Sequence, residues 1–355
     1  MRCSGSTWQR LALGACLLLG TARCGQGFTM RPAGGPPDRP TAGADVPNLD
    51  GGERCGPYSA ETLMQCVDSD RIEQDVQTIA KPRPPSSKHH LAVRNLCAER
   101  LSALGYTVTL HPYGTGTNVV GTKPGFSKSQ QQVILSAHYD HLAGCPGADD
   151  NASGLAAVLE TARVLITARF DRSLLIACWD EGEQGQVGSA AYAREARARD
   201  DRIVGMFSYE ALGYASSEPG SQQVPDRFEE AFPDLALALL ESDYRANFLT
   251  VVAETATEPV AAAVVRHGQA LGLPVHVLSL TERQKVKQQE LPRSDHASFW
   301  DAGFPALLLT DTGSFRNPHH HCQTTPDAPA TLDYQFTTTT TRAGLGAAVE
   351  LLRLR

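Results

Sequence analysis

The chain has no run of Lys or Arg, no internal repeat, and no apolar stretch long enough to cross a bilayer. Its 39 acidic residues outnumber its 32 basic ones, for a net charge of −7. Nucleic-acid-binding domains depend on clustered positive charge, so the charge balance argues against a nucleic-acid partner. The absence of a long apolar run excludes a transmembrane segment. With 355 residues, 41% of them hydrophobic, enough apolar material remains for one large α/β domain.

The first 56 residues are predicted to lie outside that domain. Arg2 and Arg10 flank a short polar region, an apolar stretch over 11–20 follows, and Ala22 offers a small residue for cleavage. We therefore expect a signal peptide over 1–24 and a secreted or periplasmic protein. A lipoprotein anchor at Cys16 is less favoured, because only a few apolar residues precede it. Residues 25–56 are rich in Gly, Pro, Asp and Arg, which is typical of a disordered linker.

From residue 57 to 355 the apolar pattern alternates between strand and helix periods. Helices are predicted over 58–79, 89–104, 153–167, 189–198, 260–271 and 338–354. Strands are predicted over 106–111, 118–121, 133–137, 173–179, 203–209 and 306–310. This alternation is typical of an α/β fold, here a three-layer α/β/α sandwich with a largely parallel mixed central sheet. The polar, Pro-containing stretch 220–234 is predicted to be a surface excursion near the site.

Most of five potential metal ligands follow the ends of predicted strands: His138, Asp150, Glu183, Glu210 and His296. Ligand sites of parallel sheets lie beyond the carboxyl ends of the strands, so we expect these side chains to converge. Two imidazoles and three carboxylates are a balanced donor set for two zinc ions that share one bridging group. Each motif alone is compatible with a solvated loop, and their convergence on one edge favours a shared metal site.

The sequence around these residues resembles the co-catalytic di-zinc aminopeptidases, a family that also includes glutaminyl cyclases and glutamate carboxypeptidases. The resemblance extends from about His89 to the C-terminus. It depends on the segments G-A-D-D-N-A-S-G at 147–154 and S-D-H-A-S-F at 294–299. It implies the zinc-peptidase (phosphorylase/hydrolase-like) fold, two Zn²⁺ ions, and peptide substrates with a free N-terminus.

The resemblance also implies a role for each site residue. His138 would bind one zinc and His296 the other, and Asp150 would bridge them. Glu183 would join one of the two metals and Glu210 the other. Asp140 matches the carboxylate behind the first histidine. Asp295 precedes His296 as a supporting or substrate-contacting group, and His321 in the segment N-P-H-H-H is best placed to reach substrate.

The chain departs from the family at the general base. Relatives have two adjacent glutamates, a base followed by a ligand, and the base position here is Gly182. Glu181 is the candidate base, although neighbouring side chains in an extended segment point to opposite sides. We therefore expect a secreted zinc aminopeptidase, and the glycine at the base position predicts reduced activity. A zinc-binding pseudoenzyme and a glutaminyl cyclase-like acyltransferase remain open alternatives.

Six cysteines lie beyond the predicted signal peptide, an even number in a chain expected to reach an oxidising compartment. Cys55 and Cys66 are close enough in sequence to close a small loop by a disulfide. Cys145 and Cys322 both fall in loops that we place near the metal site, so a bond between them is a second hypothesis. Isolated thiols are the alternative, and Cys178 is predicted to be core.

Overall fold

The computed structural model describes residues 55–56, 58–281, 284–285 and 293–355. The predicted signal peptide 1–24 lies outside the described residues, and so does the predicted linker 25–56 except for residues 55 and 56. None of the helices in the described part of the chain combines the length and apolarity needed to cross a membrane.

Ten helices and eight strands of the described residues make up the fold. The helices are α1 (Ala60–Gln65), α2 (Ser69–Ile79), α3 (Lys88–Leu104), α4 (Gly154–Leu165), α5 (Val187–Ala198), α6 (Phe228–Ala231), α7 (Pro233–Glu241), α8 (Glu258–Ala270), α9 (Asp295–Asp301) and α10 (Tyr334–Leu352). The strands are β1 (Thr107–Tyr113), β2 (Gly116–Lys123), β3 (Lys128–His138), β4 (Arg172–Trp179), β5 (Arg202–Glu210), β6 (Leu249–Glu254), β7 (Val275–Leu280) and β8 (Ala306–Thr310).

The strands form one mixed sheet in the order β1-β2-β4-β3-β5-β8-β6-β7. The four central strands β4, β3, β5 and β8 run parallel to one another. β2 pairs antiparallel with β4 at one side of this block, and β6 pairs antiparallel with β8 at the other. The carboxyl ends of the four parallel strands therefore meet at one edge of the sheet.

Helices cover both faces of the sheet, because alternate strand residues point to opposite sides. On β3, Val133 and Leu135 belong to the apolar cluster that contains α4 and α10. Ile134, between them, packs instead with residues of α5 and α9. The predicted three-layer α/β/α sandwich with a largely parallel mixed sheet is confirmed.

The predicted boundaries of helices and strands agree best with the observed ones in the most deeply buried strands. The strand predicted over 306–310 is β8, and the strand predicted over 173–179 begins one residue earlier as β4. The helix predicted over 58–79 is two helices, because Asp68 caps α2 by accepting hydrogen bonds from the N–H groups of Asp70 and Arg71. Strands β6 and β7 and helices α6, α7 and α9 were not predicted.

Both predicted disulfides are present. Cys55 pairs with Cys66, and Cys145 pairs with Cys322 across 177 residues of sequence. Cys97 and Cys178 are buried thiols. The second disulfide links the loop after β3 to the segment that contains His320 and His321.

A buried arginine organises the loop after β3. Arg83 is fully buried, and its guanidinium donates hydrogen bonds to the carbonyls of Tyr139 at 2.9 Å, Pro146 at 2.6 Å and Gly147 at 3.0 Å. These carbonyls flank the loop that leads to Asp150. The positive charge of Arg83 also offsets the negative charge of nearby buried carboxylates, including Asp140 and Asp150.

We expect Arg83→Met to lower the free energy of unfolding by about 3 kcal/mol, because three buried carbonyls lose their donor. Chemical denaturation of the intact protein measures the change. Arg202→Met, at an exposed arginine of β5, is the matched control and should change stability by less than about 0.5 kcal/mol. Equal stabilities of the two variants would contradict this account.

Candidate metal centre

The carboxyl ends of three neighbouring parallel strands carry the polar side chains of the site. β3 ends at His138, β4 is followed by Asp180 to Glu183, and β5 ends at Glu210. The irregular segment Ala148–Ser153 between β3 and α4 contributes Asp150. Four of the five predicted ligands therefore meet at one place.

The first donor group consists of His138, Asp150 and Glu210. The Nε2 atom of His138 lies 3.4 Å from Oδ1 of Asp150 and 3.5 Å from Oε1 of Glu210. Ser294 donates a hydrogen bond to the other oxygen of Glu210. One imidazole and two carboxylates thus face a common point, which is a donor set typical of zinc.

A second donor group lies on the other side of Asp150. His141, Asp150 and Glu183 approach one another closely enough to share an ion, and so do Asp150, His320 and His321. The Nε2 atom of His321 lies 2.9 Å from Oδ2 of Asp150 and 3.4 Å from Oε2 of Glu183. The Nδ1 atom of His141 lies 2.7 Å from Oε1 of Glu183. Asp150 is common to all of these groups.

Asp140 supports both strand ends of the site. One of its carboxylate oxygens accepts a hydrogen bond from the N–H of Gly182 at 2.7 Å, and the other accepts one from Glu183 at 3.2 Å. The same carboxylate lies 3.4 Å from Nδ1 of His138. It therefore orients the imidazole and the Glu183 loop together, as a supporting carboxylate of a metal site does.

Several buried atoms of this cluster form no hydrogen bond of good geometry among the described residues: Asp150 Oδ1, Glu183 Oε1, both ring nitrogens of His141, and His320 Nδ1. Their neighbours within the cluster are the ion-pair contacts His138–Asp150 and His141–Glu183. Buried polar atoms are normally paired, so a set of unpaired donors and acceptors around one point indicates a bound group. Imidazole and carboxylate donors fit zinc.

The electrostatics of the cluster favour a bound cation. Burial and the charge of Asp150 raise the pKa of Glu183, but His141 and His321 lower it to about 2. Burial likewise raises the pKa of Asp150, and hydrogen bonds with His138 and His321 hold it well below its usual range. Both carboxylates are therefore ionised at neutral pH. Hydrogen bonds to these carboxylates raise the pKa of His321 to about 10, so a metal ion would replace its proton.

His296, the fifth predicted ligand, lies away from these groups. It is fully buried, its ring packs edge-on against Trp300 at 4.5 Å, and neither ring nitrogen has a hydrogen-bond partner among the described residues. Burial lowers its pKa to about 3. Its neighbour Asp295 does line the cavity beside the cluster, and burial raises the pKa of that carboxyl to about 7.

The candidate base Glu181 is also turned away from the donor groups. It adopts a positive φ of 56°, and its carboxylate accepts a hydrogen bond from the hydroxyl of Thr115 on the β1–β2 turn. Gly182 lines the cavity instead. A Cβ atom at Gly182 would lie 2.4 Å from Cγ of His138 and 2.6 Å from its Cβ. The His138 side chain therefore leaves no room for a side chain at residue 182 unless one of the two shifts.

The sequence analysis did not include His141 and His320 among the site residues, and it placed His321 beside the substrate; in the structure all three face Asp150 or Glu183. His141 follows His138 in H-Y-D-H, and the positive φ of His321, 53°, turns its ring towards Asp150 and Glu183. The rings of His320 and His321 stack at 4.0 Å. The signal was available in the triple histidine and in the neighbouring Cys322, whose disulfide with Cys145 brings this segment beside the loop after β3.

Known proteins share this sequence pattern and this fold. The protein YfbL of Escherichia coli is 27% identical over 294 residues, which cover 75% of this chain and 83% of YfbL. A probable zinc metalloprotease of Leptosphaeria maculans is 25% identical over 59% of this chain and 49% of its own length. The solved structure of the LapA aminopeptidase of Legionella pneumophila has the same fold, with a TM-score of 0.62 at 18% identity over 82% of this chain and 74% of LapA.

These matches and the donor groups at the sheet edge indicate that the chain is a zinc metallopeptidase. The family model described as Peptidase family M28 matches residues 118–344, and the chain therefore belongs to peptidase family M28.

We expect Gly182→Glu to weaken zinc binding rather than to restore a base, because the new side chain would displace His138. Zinc content by atomic absorption after dialysis measures the effect. Gly114→Glu is the matched control, since no atom lies within 4 Å of a Cβ at that glycine. Full zinc content together with faster hydrolysis in Gly182→Glu would show that the His138 ring moves aside freely.

Proposed function

We propose that the protein is a zinc aminopeptidase that removes residues from the free N-terminus of peptides. The observation that carries this proposal is the position of Asp150 between two donor groups, His138 with Glu210 on one side and Glu183 with imidazoles on the other. A carboxylate shared by two such groups suits a pair of zinc ions.

In this proposal His138, Asp150 and Glu210 hold the first zinc. Asp150 and Glu183 hold the second, together with the imidazoles of His141 and His321 that face them. His321 thus takes the place that the sequence pattern assigns to His296. When bound, the two ions supply a water of lowered pKa and polarise the scissile carbonyl. The protein itself orients the first imidazole and the Glu183 loop through Asp140.

The missing base sets the expected rate. Removal of a general base lowers a rate by about 10²–10⁴, so we propose slow hydrolysis compared with relatives that have the adjacent glutamate pair. Glu181 does not fill this role in our proposal, because its carboxylate is bound by Thr115. Glu181→Gln should therefore leave kcat within about two-fold of the original value. Loss of a general base would lower kcat far more, by about 10²–10⁴.

A second candidate function is a zinc-binding protein that binds peptide ends without cleaving them. It is favoured by one observation, the close contact between the His138 side chain and Gly182, which leaves no room for a side chain at residue 182. The metal donors are complete in this case as well. The two functions therefore differ in turnover and not in zinc content.

We also propose that the protein is exported. Two disulfides, Cys55–Cys66 and Cys145–Cys322, support this location, because disulfides persist in extracytoplasmic compartments.

The decisive experiment measures zinc content and hydrolysis of peptides such as Leu-Ala-Ala on the same sample. We expect two zinc ions per chain, slow release of the first residue, and no release when the N-terminus is acetylated. Removal of zinc by a chelator should abolish the release, and added zinc should restore it. Two zinc ions without release of any residue would favour the binding protein, and cleavage of the acetylated peptide would contradict an aminopeptidase.

Zinc stoichiometry in two histidine variants tests the assignment of the second site. We expect His321→Gln to lose about one zinc per chain, because its imidazole faces Asp150 and Glu183. His296→Gln is the matched control and should retain both ions, since His296 packs against Trp300. The opposite result would return His296 to the ligand set.

A further inference from the structure

Asp327 binds the backbone of the loop that carries Asp150. Its side chain is fully buried. The carboxylate accepts hydrogen bonds from the N–H of Asp149, at 3.0 Å and 3.1 Å to its two oxygens, and from the N–H of Asp150 at 3.1 Å. The N–H of Ala148 donates to the backbone carbonyl of Asp327 at 3.2 Å. One residue, 177 positions further along the chain than Asp150, therefore satisfies three consecutive backbone donors of this loop.

The loop is too irregular to satisfy these donors by itself. Helix α4 begins only at Gly154. The dihedral angles of Asp150 (φ −104°, ψ 98°) and of Asn151 (φ −128°, ψ 37°) are not helical. A buried N–H group without an acceptor is costly, and a carboxylate is a stronger acceptor than a neutral oxygen. The backbone at Asp150 is therefore fixed by Asp327 and not by a helix.

The two neighbouring acids of the loop show why its backbone has to be fixed. The carboxylate of Asp149 accepts hydrogen bonds from the N–H of Gly213 at 2.8 Å and from Nδ2 of Asn317 at 2.6 Å. Asp150 is the acid that the donor groups share. A change of the backbone dihedral angles at this point would turn the carboxylate of Asp150 away from the donor groups.

Asp327 belongs to the segment that also supplies an imidazole to the site. Its N–H donates a hydrogen bond to Sγ of Cys322 at 3.3 Å, and Cys322 is joined to Cys145 by a disulfide. His321, which faces Glu183, directly precedes Cys322. The same short segment therefore carries an imidazole of the second donor group and the acceptor for the loop after β3.

We propose that Asp327 is a positioning residue that holds Asp150 in place as the shared ligand of two metal ions. This inference rests on the proposed zinc pair, because it takes Asp150 as the ligand common to both ions. Among the described residues no donor group includes Asp327, and its carboxylate binds the N–H groups of the loop. Asp327 therefore acts on the metal through the backbone of Asp150 and does not bind the metal itself.

The zinc affinity of Asp327→Asn tests the proposal. An asparagine has nearly the size of an aspartate, but its NH₂ group cannot accept a hydrogen bond from an N–H of the loop. Loss of a supporting carboxylate lowers metal affinity by roughly 10–100-fold, and we expect this loss for both ions, because both need Asp150. Competitive titration of the zinc-free protein with a chromogenic chelator measures the two dissociation constants. Weaker binding of one ion alone would overturn the inference, because Asp327 would then act on the segment of His321.

Glu160→Gln is the matched control. Glu160 is a buried carboxylate of α4 that accepts a hydrogen bond from the N–H of Asp68 at 2.8 Å, and it belongs to none of the donor groups of the described residues. Both variants should have a lower free energy of unfolding, because each weakens a buried acceptor. Only Asp327→Asn should lose zinc affinity. Unchanged zinc affinity in Asp327→Asn, or an equal loss in Glu160→Gln, would overturn the inference and leave the aminopeptidase function standing.

Hydrogen exchange of the zinc-free wild type tests the proposal without any variant. Because Asp327 fixes the loop before a metal binds, the amides of Asp149 and Asp150 should already be protected from exchange, as mass spectrometry of overlapping fragments measures. Exchange at the rate of an unstructured peptide would overturn the inference. Neither test reads hydrolysis, so a wild type that binds zinc without cleaving peptides would contradict the aminopeptidase and not the role of Asp327.

Discussion

The two hydrogen bonds that Asp140 accepts from Gly182 and Glu183 are the contact on which the site depends. They hold the loop after β4 against the end of β3, where the same carboxylate faces His138. Without this contact, two neighbouring strand ends would present their side chains independently. Arg83 supplies the matching positive charge and binds the carbonyls of the next loop. The donor geometry therefore originates in a buried charge network as well as in the sheet.

The central sheet and most of the donor residues could be predicted from sequence for one reason. Buried parallel strands are continuous apolar runs, and the polar residues that follow them must emerge at a common edge. His138, Glu183 and Glu210 obey this rule directly. Asp150 follows it through a short irregular loop. β6 and β7 were not predicted, although both are short apolar runs that flank the predicted helix 260–271.

The placement of His296 and His321 and the shape of the cavity could not be derived from local sequence patterns, because both depend on long-range packing. His296 and His321 are both histidines near the C-terminus of the chain, and no local pattern tells a core imidazole from one that faces the donor groups. The ring of Trp300 covers the first, whereas a left-handed backbone turn and the neighbouring disulfide direct the second to Asp150. One wall of the cavity likewise combines apolar side chains that lie 80 residues apart in sequence, Phe228 and Leu308.

The close approach of His138 to Gly182 restricts which changes the chain tolerates. A side chain at residue 182 needs space that the His138 ring now fills, so a carboxylate can enter there only if the end of β3 shifts as well. The two positions are therefore sterically coupled, and a change at residue 182 has to be matched by an adjustment of the β3 end.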